Sequence, residues 1–148
     1  MTHYFECPNC KQAAPVVKLL VKDYPHVKPV YRHFPLESVY PHALMAAEAA
    51  ECAAAQGQFW PMHDLLFEHQ HELKLHHLRQ CAEKIELDLV RFTAEMKDHL
   101  YVQRMREHVQ GGEESGVRAT PAFFVDGKIA DTSFGIDRLF RAVEEAAR

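Results

Sequence analysis

Polar and apolar positions along the chain divide it into short alternating stretches and longer stretches of helical period. Thr2 to Phe5 alternates and carries aromatics, which predicts a very short strand. Pro8 suits the first turn of a helix, where a missing N–H is no loss. Val16, Leu19 and Leu20 recur at helical spacing as far as Asp23, just ahead of Tyr24-Pro25. Pro15 falls inside this helix and is expected to kink it. Val27 to Phe34 predicts a second strand, with Pro29 near its start and Pro35 closing it. From residue 41 to about 111 the period is helical. His42 to Gln56 is alanine-rich and stops at Gly57, and Phe59 to Gln70, Leu75 to Ile85 and an interrupted Leu87 to His108 follow. Gly111, Gly112 and Gly116 mark the way out. Ala122 to Val125 has strand length, Asp126-Gly127 is the strongest hairpin signal, and Lys128 to Ala130 supplies the return strand. Phe134 to Ala147 closes the chain as an amphipathic helix with Ile136, Leu139, Phe140 and Val143 on one face. The order β-α-β, helical block, β-β-α predicts one α/β domain, with a core of 1–40 and 112–148 and a helical block at 41–111.

Composition narrows the classes. With 148 residues, 47% of them hydrophobic, the chain can bury roughly 70% of its unfolded surface, so neither disorder nor a disulfide-only scaffold fits. A net charge of −4 argues against a protein built to neutralise phosphates, and no nucleic-acid partner is expected. No apolar run is long enough to span a bilayer; the run from Ala43 to Ala55 is broken by Glu48 and Glu51. The N-terminus lacks the features of a secretion signal, so the chain as written is expected to be cytoplasmic, or extracytoplasmic if a leader lies upstream.

The four cysteines carry the chemistry. Cys7 and Cys10 form a C-x-x-C, whereas Cys52 and Cys81 stand alone in helical sequence. Such a pair serves redox chemistry or half of a metal site, or consists of two incidental core residues; a four-cysteine zinc site would need a second close pair. A helix starting just after Cys7 would set its sulfur among unpaired N–H groups at the positive end of the macrodipole, favouring the thiolate that disulfide exchange requires. Glu6 opposes that shift and Asn9 adds no positive charge, so a Cys7 pKa on the order of 5 to 7 is expected. Cys10, one turn on, should stay protonated.

Cys7-Pro8-Asn9-Cys10-Lys11-Gln12-Ala13-Ala14-Pro15 resembles the active-site helix of the thioredoxin superfamily, and Gly116 to Gly127, containing Ala119-Thr120-Pro121-Ala122-Phe123-Phe124-Val125, resembles its cis-proline loop and following strand. Tyr31 to Leu36 and Gly57 to Asp64 are similar to the bacterial DsbA-type branch, in which helices are inserted into a thioredoxin core. The resemblance covers essentially the whole chain. It implies a thioredoxin fold with an inserted all-helical subdomain and a thiol–disulfide oxidoreductase. In that role Cys7 is the exposed nucleophile, Cys10 the resolving cysteine, and Pro8, Asn9, Thr120 and Pro121 the substrate-binding residues. It implies no cofactor and no metal. The partners are protein or peptide thiols and disulfides and a recycling redox partner. Two departures stand out. The strand before the C-x-x-C is short, which means either a short central strand or a coding sequence that starts further upstream. Asn9 also replaces a histidine found in strong oxidants. A peptide-binding module and a kappa glutathione-transferase-like isomerase are the alternative readings; the latter generally lacks the second cysteine.

The other candidates are bland. Cys52 and Cys81 read as small buried hydrophobes rather than a second disulfide. His63, His69, His71, His76 and His77 read as a solvated face, since no H-E-x-x-H occurs. Phe59 and Trp60 are expected in the core rather than in a groove wall.

Overall fold

The computed structural model describes residues 1–36 and 40–148; residues 37–39, placed in the 1–40 core above, lie outside the described residues. The elements run β1 (Thr2–His3), α1 (Pro8–Asp23), β2 (Arg32–His33), α2 (Ala43–Ala54), α3 (Phe59–Glu68), α4 (Leu75–Lys84), α5 (Leu89–Lys97), α6 (Val102–Glu114), β3 (Phe123–Val125), β4 (Lys128–Ala130) and α7 (Asp137–Ala146). This is the expected α/β order. β1 pairs in parallel with β2, Thr2 opposite Arg32. On its other side Thr2 exchanges both backbone hydrogen bonds with Ala122, at 2.7 and 3.0 Å, so the sheet runs β2-β1-β3-β4 through that single antiparallel bridge. β3 and β4 form an antiparallel hairpin whose turn residues Asp126 and Gly127 both have positive φ, 47° and 78°.

Ala13 and Leu20 of α1 and Leu139 and Val143 of α7 enclose Phe123 in one apolar cluster. A larger one joins Phe5 and Cys10 to Met62, Leu66, Leu78 and Phe92 of the helical block. α2 sits in the middle of that block and touches α3, α4, α5 and α6. Six of its alanines are buried (Ala43, Ala46, Ala47, Ala49, Ala50 and Ala53), so neighbouring helices can approach it from several sides, which is why no amphipathic stripe shows there.

Several expectations need correction. Among the described residues, the stretch Val27 to Phe34 pairs as a strand at Arg32–His33, opposite Thr2–His3 of β1. Tyr4 and Phe5 leave the strand for a turn closed by the Cys7 N–H on the Tyr4 carbonyl, 3.2 Å. The interruption expected in Leu87 to His108 is there: the stretch holds two helices, separated where His99 takes φ 50°. Pro15 lies inside α1, as expected. α6 does not stop at Gly111-Gly112 but runs to Glu114. The glycines serve packing there: a Cβ on Gly112 would lie 2.8 Å from the Phe34 ring, whereas one on Gly111 would meet nothing within 4 Å.

The histidines are the largest surprise. His63 is buried, 5% exposed, not part of a solvated face. It joins His3 and His33, both fully buried, in an aromatic cluster with Phe5, Tyr31 and Phe67. His33 Nε2 donates to Glu51 at 2.8 Å, and the second Glu51 oxygen meets Arg104 at 3.3 Å. His3 has no hydrogen-bond partner on either ring nitrogen among the described residues. Burial, then the neighbouring His63, His33 and amino terminus, hold His3 well below the usual histidine range. Burial also lowers His33 and His63, and together with His33 and Arg32 it pushes His108 down to about 4.

Two predictions follow from this packing. Gly111→Ala should stabilise the protein by roughly 0.5–1 kcal/mol through helix propensity, while Gly112→Ala should lower the thermal midpoint, because the Phe34 ring must move. Equal midpoint shifts for the two would contradict the packing. For the histidines the folded pKa values lie below the unfolded value near 6.5. Their contribution is therefore complete above pH 6.5 and lost as pH falls towards 4. His3→Phe should flatten that acid loss and add roughly 1–3 kcal/mol at neutral pH, by removing two unsatisfied buried nitrogens. Urea midpoints between pH 7.5 and 4.5 measure both; an unchanged pH slope would refute the assignment to His3.

Candidate active site

α1 begins where the sequence changes from extended to helical at Cys7. That residue is the N-cap, φ −76° and ψ 118°, with Pro8 at the first helical position. In place of the usual capping hydroxyl or carboxylate, the Cys7 sulfur accepts the N–H of Cys10 at 3.1 Å. The Thr120 hydroxyl donates to the same sulfur from across the fold, at 3.5 Å. Thr120 is brought there by the loop that leads through Pro121 into the Thr2–Ala122 bridge; the Thr120–Pro121 peptide bond is cis.

The acidity of the two thiols is split. Cys7 is pushed down from 9.0 to about 6. A hydrogen bond from the Cys10 side chain is the main cause; burial opposes it, and the Thr120 hydroxyl and the backbone N–H groups of Cys10 and Asn9 add to it. Cys10 goes the other way: burial first, then its hydrogen bond and proximity to Cys7, hold its thiol far above the ordinary range. Burial likewise raises Cys52 to about 12 and raises Cys81, so neither presents a thiolate near neutrality. All four cysteines are free thiols and all four are buried.

The structure therefore brings together Cys7, Cys10, Thr120 and the Pro121 loop, with Pro8 and Asn9 exposed beside them. Cys7 itself is not exposed: it is only 3% accessible, because its sulfur turns inward to take hydrogen bonds from Cys10 and Thr120. Glu6 is turned away towards His42, whose N–H donates to its carboxylate at 3.1 Å. Trp60 is 44% exposed and lines a cavity, so it does not belong to the core as expected. Among the described residues no group of three or more histidines, cysteines or acids is arranged to hold a metal, and no helix is long and apolar enough to cross a membrane.

One residue escaped the sequence reading altogether. Gln70, 5% exposed, donates through Nε2 to the carbonyls of Phe5 at 2.9 Å and Cys7 at 2.7 Å. It ties the backbone that carries the cap to the turn after α3. Nothing local to Gln70 marks it, since a glutamine at the end of a helix is ordinarily solvated.

A family model described as Thioredoxin matches residues 3–145. The Na(+)/H(+) antiporter NhaA 3 of Salinispora tropica is 47% identical over 142 residues, which make up 96% of this chain and 22% of that protein. The Na(+)/H(+) antiporter NhaA of Herminiimonas arsenicoxydans is 37% identical over 145 residues, 97% of this chain and 23% of that one. The chain thus spans less than a quarter of the length of the curated relatives it matches. Among solved structures, a thioredoxin-like oxidoreductase from Silicibacter pomeroyi superposes with a TM-score of 0.86 at 24% identity, covering 99% of this chain and 83% of the other. The DsbA disulfide interchange protein of Klebsiella pneumoniae gives 0.73 at 20% identity, covering 99% and 82%. With this fold and a family match over nearly its full length, the chain belongs to the thioredoxin family.

Proposed function

We propose that the protein is a thiol–disulfide oxidoreductase acting on protein or peptide thiols and disulfides, with Cys7 as nucleophile and Cys10 as resolving cysteine. The observation that carries this reading is the capping of α1 by a sulfur rather than an oxygen. Near pH 7 a thiol with a pKa of about 6 is roughly 90% thiolate, while its neighbour one turn on keeps its proton. In the reducing direction the Cys7 thiolate attacks one sulfur of a substrate disulfide, forming a mixed disulfide and releasing a substrate thiolate. Cys10 then gives up its proton and attacks the Cys7 sulfur, releasing the second substrate thiolate and closing the Cys7–Cys10 disulfide. Two electrons pass to the substrate, and a recycling thiol partner returns them. The oxidising direction is the reverse. Pro8, Asn9, Thr120 and Pro121 frame the approach to the sulfur, and an extended substrate segment can lie against the Thr120 backbone as an added strand. The division into a core of 1–40 and 112–148 and a helical insertion of 41–111 belongs to the same reading.

Cys7→Ser should abolish dithiothreitol-driven reduction of insulin disulfides, and the double variant Cys52→Ala, Cys81→Ala should retain near-full activity. Equal loss from the distal pair would refute the assignment. The acidity of Cys7 gives a separate test. Its folded pKa lies below the unfolded one, so thiolate stabilisation of the reduced protein is complete above about pH 9 and fades as pH falls through about 6. Absorbance near 240 nm should therefore show a transition near pH 6 that Cys7→Ser removes. Thr120→Val should raise that midpoint by about 0.7 pH units, the equivalent of about 1 kcal/mol for one hydrogen bond. A wild-type midpoint above pH 8 would leave the reading without its mechanism.

A further inference from the structure

The cap at Cys7 has to be aimed. Its sulfur takes the Cys10 N–H at 3.1 Å from α1 and the Thr120 hydroxyl at 3.5 Å from the loop before β3, so it sits between two separately placed elements. Where it points depends on the backbone torsions of Cys7, φ −76° and ψ 118°. The turn ahead of Cys7 is closed by its own N–H on the Tyr4 carbonyl, 3.2 Å. On the helix side the Cys7 carbonyl accepts the Lys11 N–H at 3.1 Å, the first bond of α1. One bond lies within the turn and the other within the helix, so neither fixes the two against each other. Gln70 does that. Its Nε2 uses both hydrogens, on the Phe5 carbonyl at 2.9 Å and the Cys7 carbonyl at 2.7 Å, and one amide thus spans the cap from the turn to the helix. Rotation in ψ at Cys7 swings that carbonyl oxygen, and a donor gripping the oxygen resists it. Gln70 is itself held in place. The His69 N–H closes the last turn of α3 on the Leu65 carbonyl at 2.9 Å, and the Glu72 N–H closes the next turn on the His69 carbonyl at 2.8 Å. Phe67 and Leu73 anchor the segment on either side, both buried.

We propose that Gln70 is a positioning residue for Cys7, through which the turn after α3 stabilises the Cys7 thiolate and hence the reduced form of the Cys7–Cys10 pair. Its redox consequence rests on the reading of Cys7 as the nucleophile. Gln70 acts on the backbone that carries the sulfur. Hydrogen bonds weaken steeply as they lengthen and bend, so a small rotation at Cys7 weakens the bonds from Cys10 and Thr120 together. A less stable thiolate forms at higher pH, disfavours the reduced pair and makes the disulfide a weaker oxidant. The side chain that tunes the site therefore belongs to the helical block, 60 positions from the second cysteine.

The test compares Gln70→Met, which keeps the side chain's length and removes both donors, with Phe92→Leu. The second variant loosens the same apolar cluster from α5, which packs on α2 and α4. Thiolate absorbance near 240 nm is followed against pH, with Cys7→Ser as the blank, and the Cys7–Cys10 pair is equilibrated with glutathione at pH 7. Gln70→Met should raise the Cys7 transition by about one pH unit, the weight of one weakened bond to a charged group. The glutathione equilibrium should then move about fivefold towards the disulfide, equivalent to about 20 mV. Phe92→Leu should lower the thermal midpoint and leave both readings in place. If Gln70→Met does not fold, Gln70→Ser, which leaves room for a water on the two carbonyls, should move the transition in the same direction. An unmoved transition in the folded Gln70 variant, with insulin reduction intact, would overturn the proposal and leave the redox reading standing. An equal rise in Phe92→Leu would overturn it too, because general loosening would then suffice. Absent insulin reduction in wild type, with a Cys7 transition that still moves with Gln70, would instead fail the redox reading and uphold the positioning role.

Discussion

Everything at the site depends on one constraint: a sulfur must cap a helix and, at the same time, take a hydroxyl hydrogen bond from a residue 113 positions away. The first half is local. Pro8 starts α1 at little cost, and the first-turn N–H groups then converge on whatever side chain precedes it. The second half needs the sheet. Thr120 reaches Cys7 because Ala122, two residues on, is bonded to Thr2, and Thr2 lies five residues ahead of Cys7. Gln70 closes the arrangement from the helical block by holding the carbonyls of Phe5 and Cys7. The inserted helices are thus part of the site's support: without the turn after α3, two buried carbonyls would lose their donor, a loss of roughly 1–3 kcal/mol each.

The same block imports polar groups into the interior. Glu48 and Glu51 project from the most buried helix, and each finds a basic partner, His99 at 3.0 Å for Glu48 and His33 and Arg104 for Glu51. Paired in this way, a buried carboxylate is tolerable; alone it would not be. Burial by itself would raise Glu51, yet His33 and Arg104 outweigh it and leave the carboxyl below its ordinary value. His3 has no such compensation, and its cost is carried by stacking on Phe67 and edge contact with Tyr31. The core under β1 is consequently aromatic and neutral at pH 7, and sensitive to acid.

How much of this was legible in the sequence depends on the range of the interaction concerned. Helix boundaries came out close: Pro8–Asp23 ends at the residue expected, and Ala43–Ala54 and Leu75–Lys84 lie within two residues of their expected limits. The Asp126-Gly127 hairpin was readable because positive φ at two successive positions is a property of those residues. The direction of the Cys7 shift was readable from its place before Pro8, but its main cause, the Cys10 side chain, and the Thr120 hydroxyl were not among the groups the sequence pointed to. The second strand was overestimated, since residues suited to a strand run from Val27 while the described pairing with β1 takes in Arg32 and His33. Gly111-Gly112 looked like a helix exit because glycine is a poor helix former, but the Phe34 ring needs the missing Cβ at Gly112 more than the helix needs propensity.

By itself, then, the sequence determined what short-range geometry governs: the run of helices, the hairpin, and a cysteine placed to cap a helix with a second one turn away. Only the tertiary structure decided which histidines are buried, which strand residues find partners, that Gln70 holds the loop of Cys7, and that the Cys7 sulfur faces inward towards Thr120. The physical reason is that caps, turns and helical periods are set by residues within about four positions of each other. Burial and strand pairing are set by whatever the rest of the chain brings alongside.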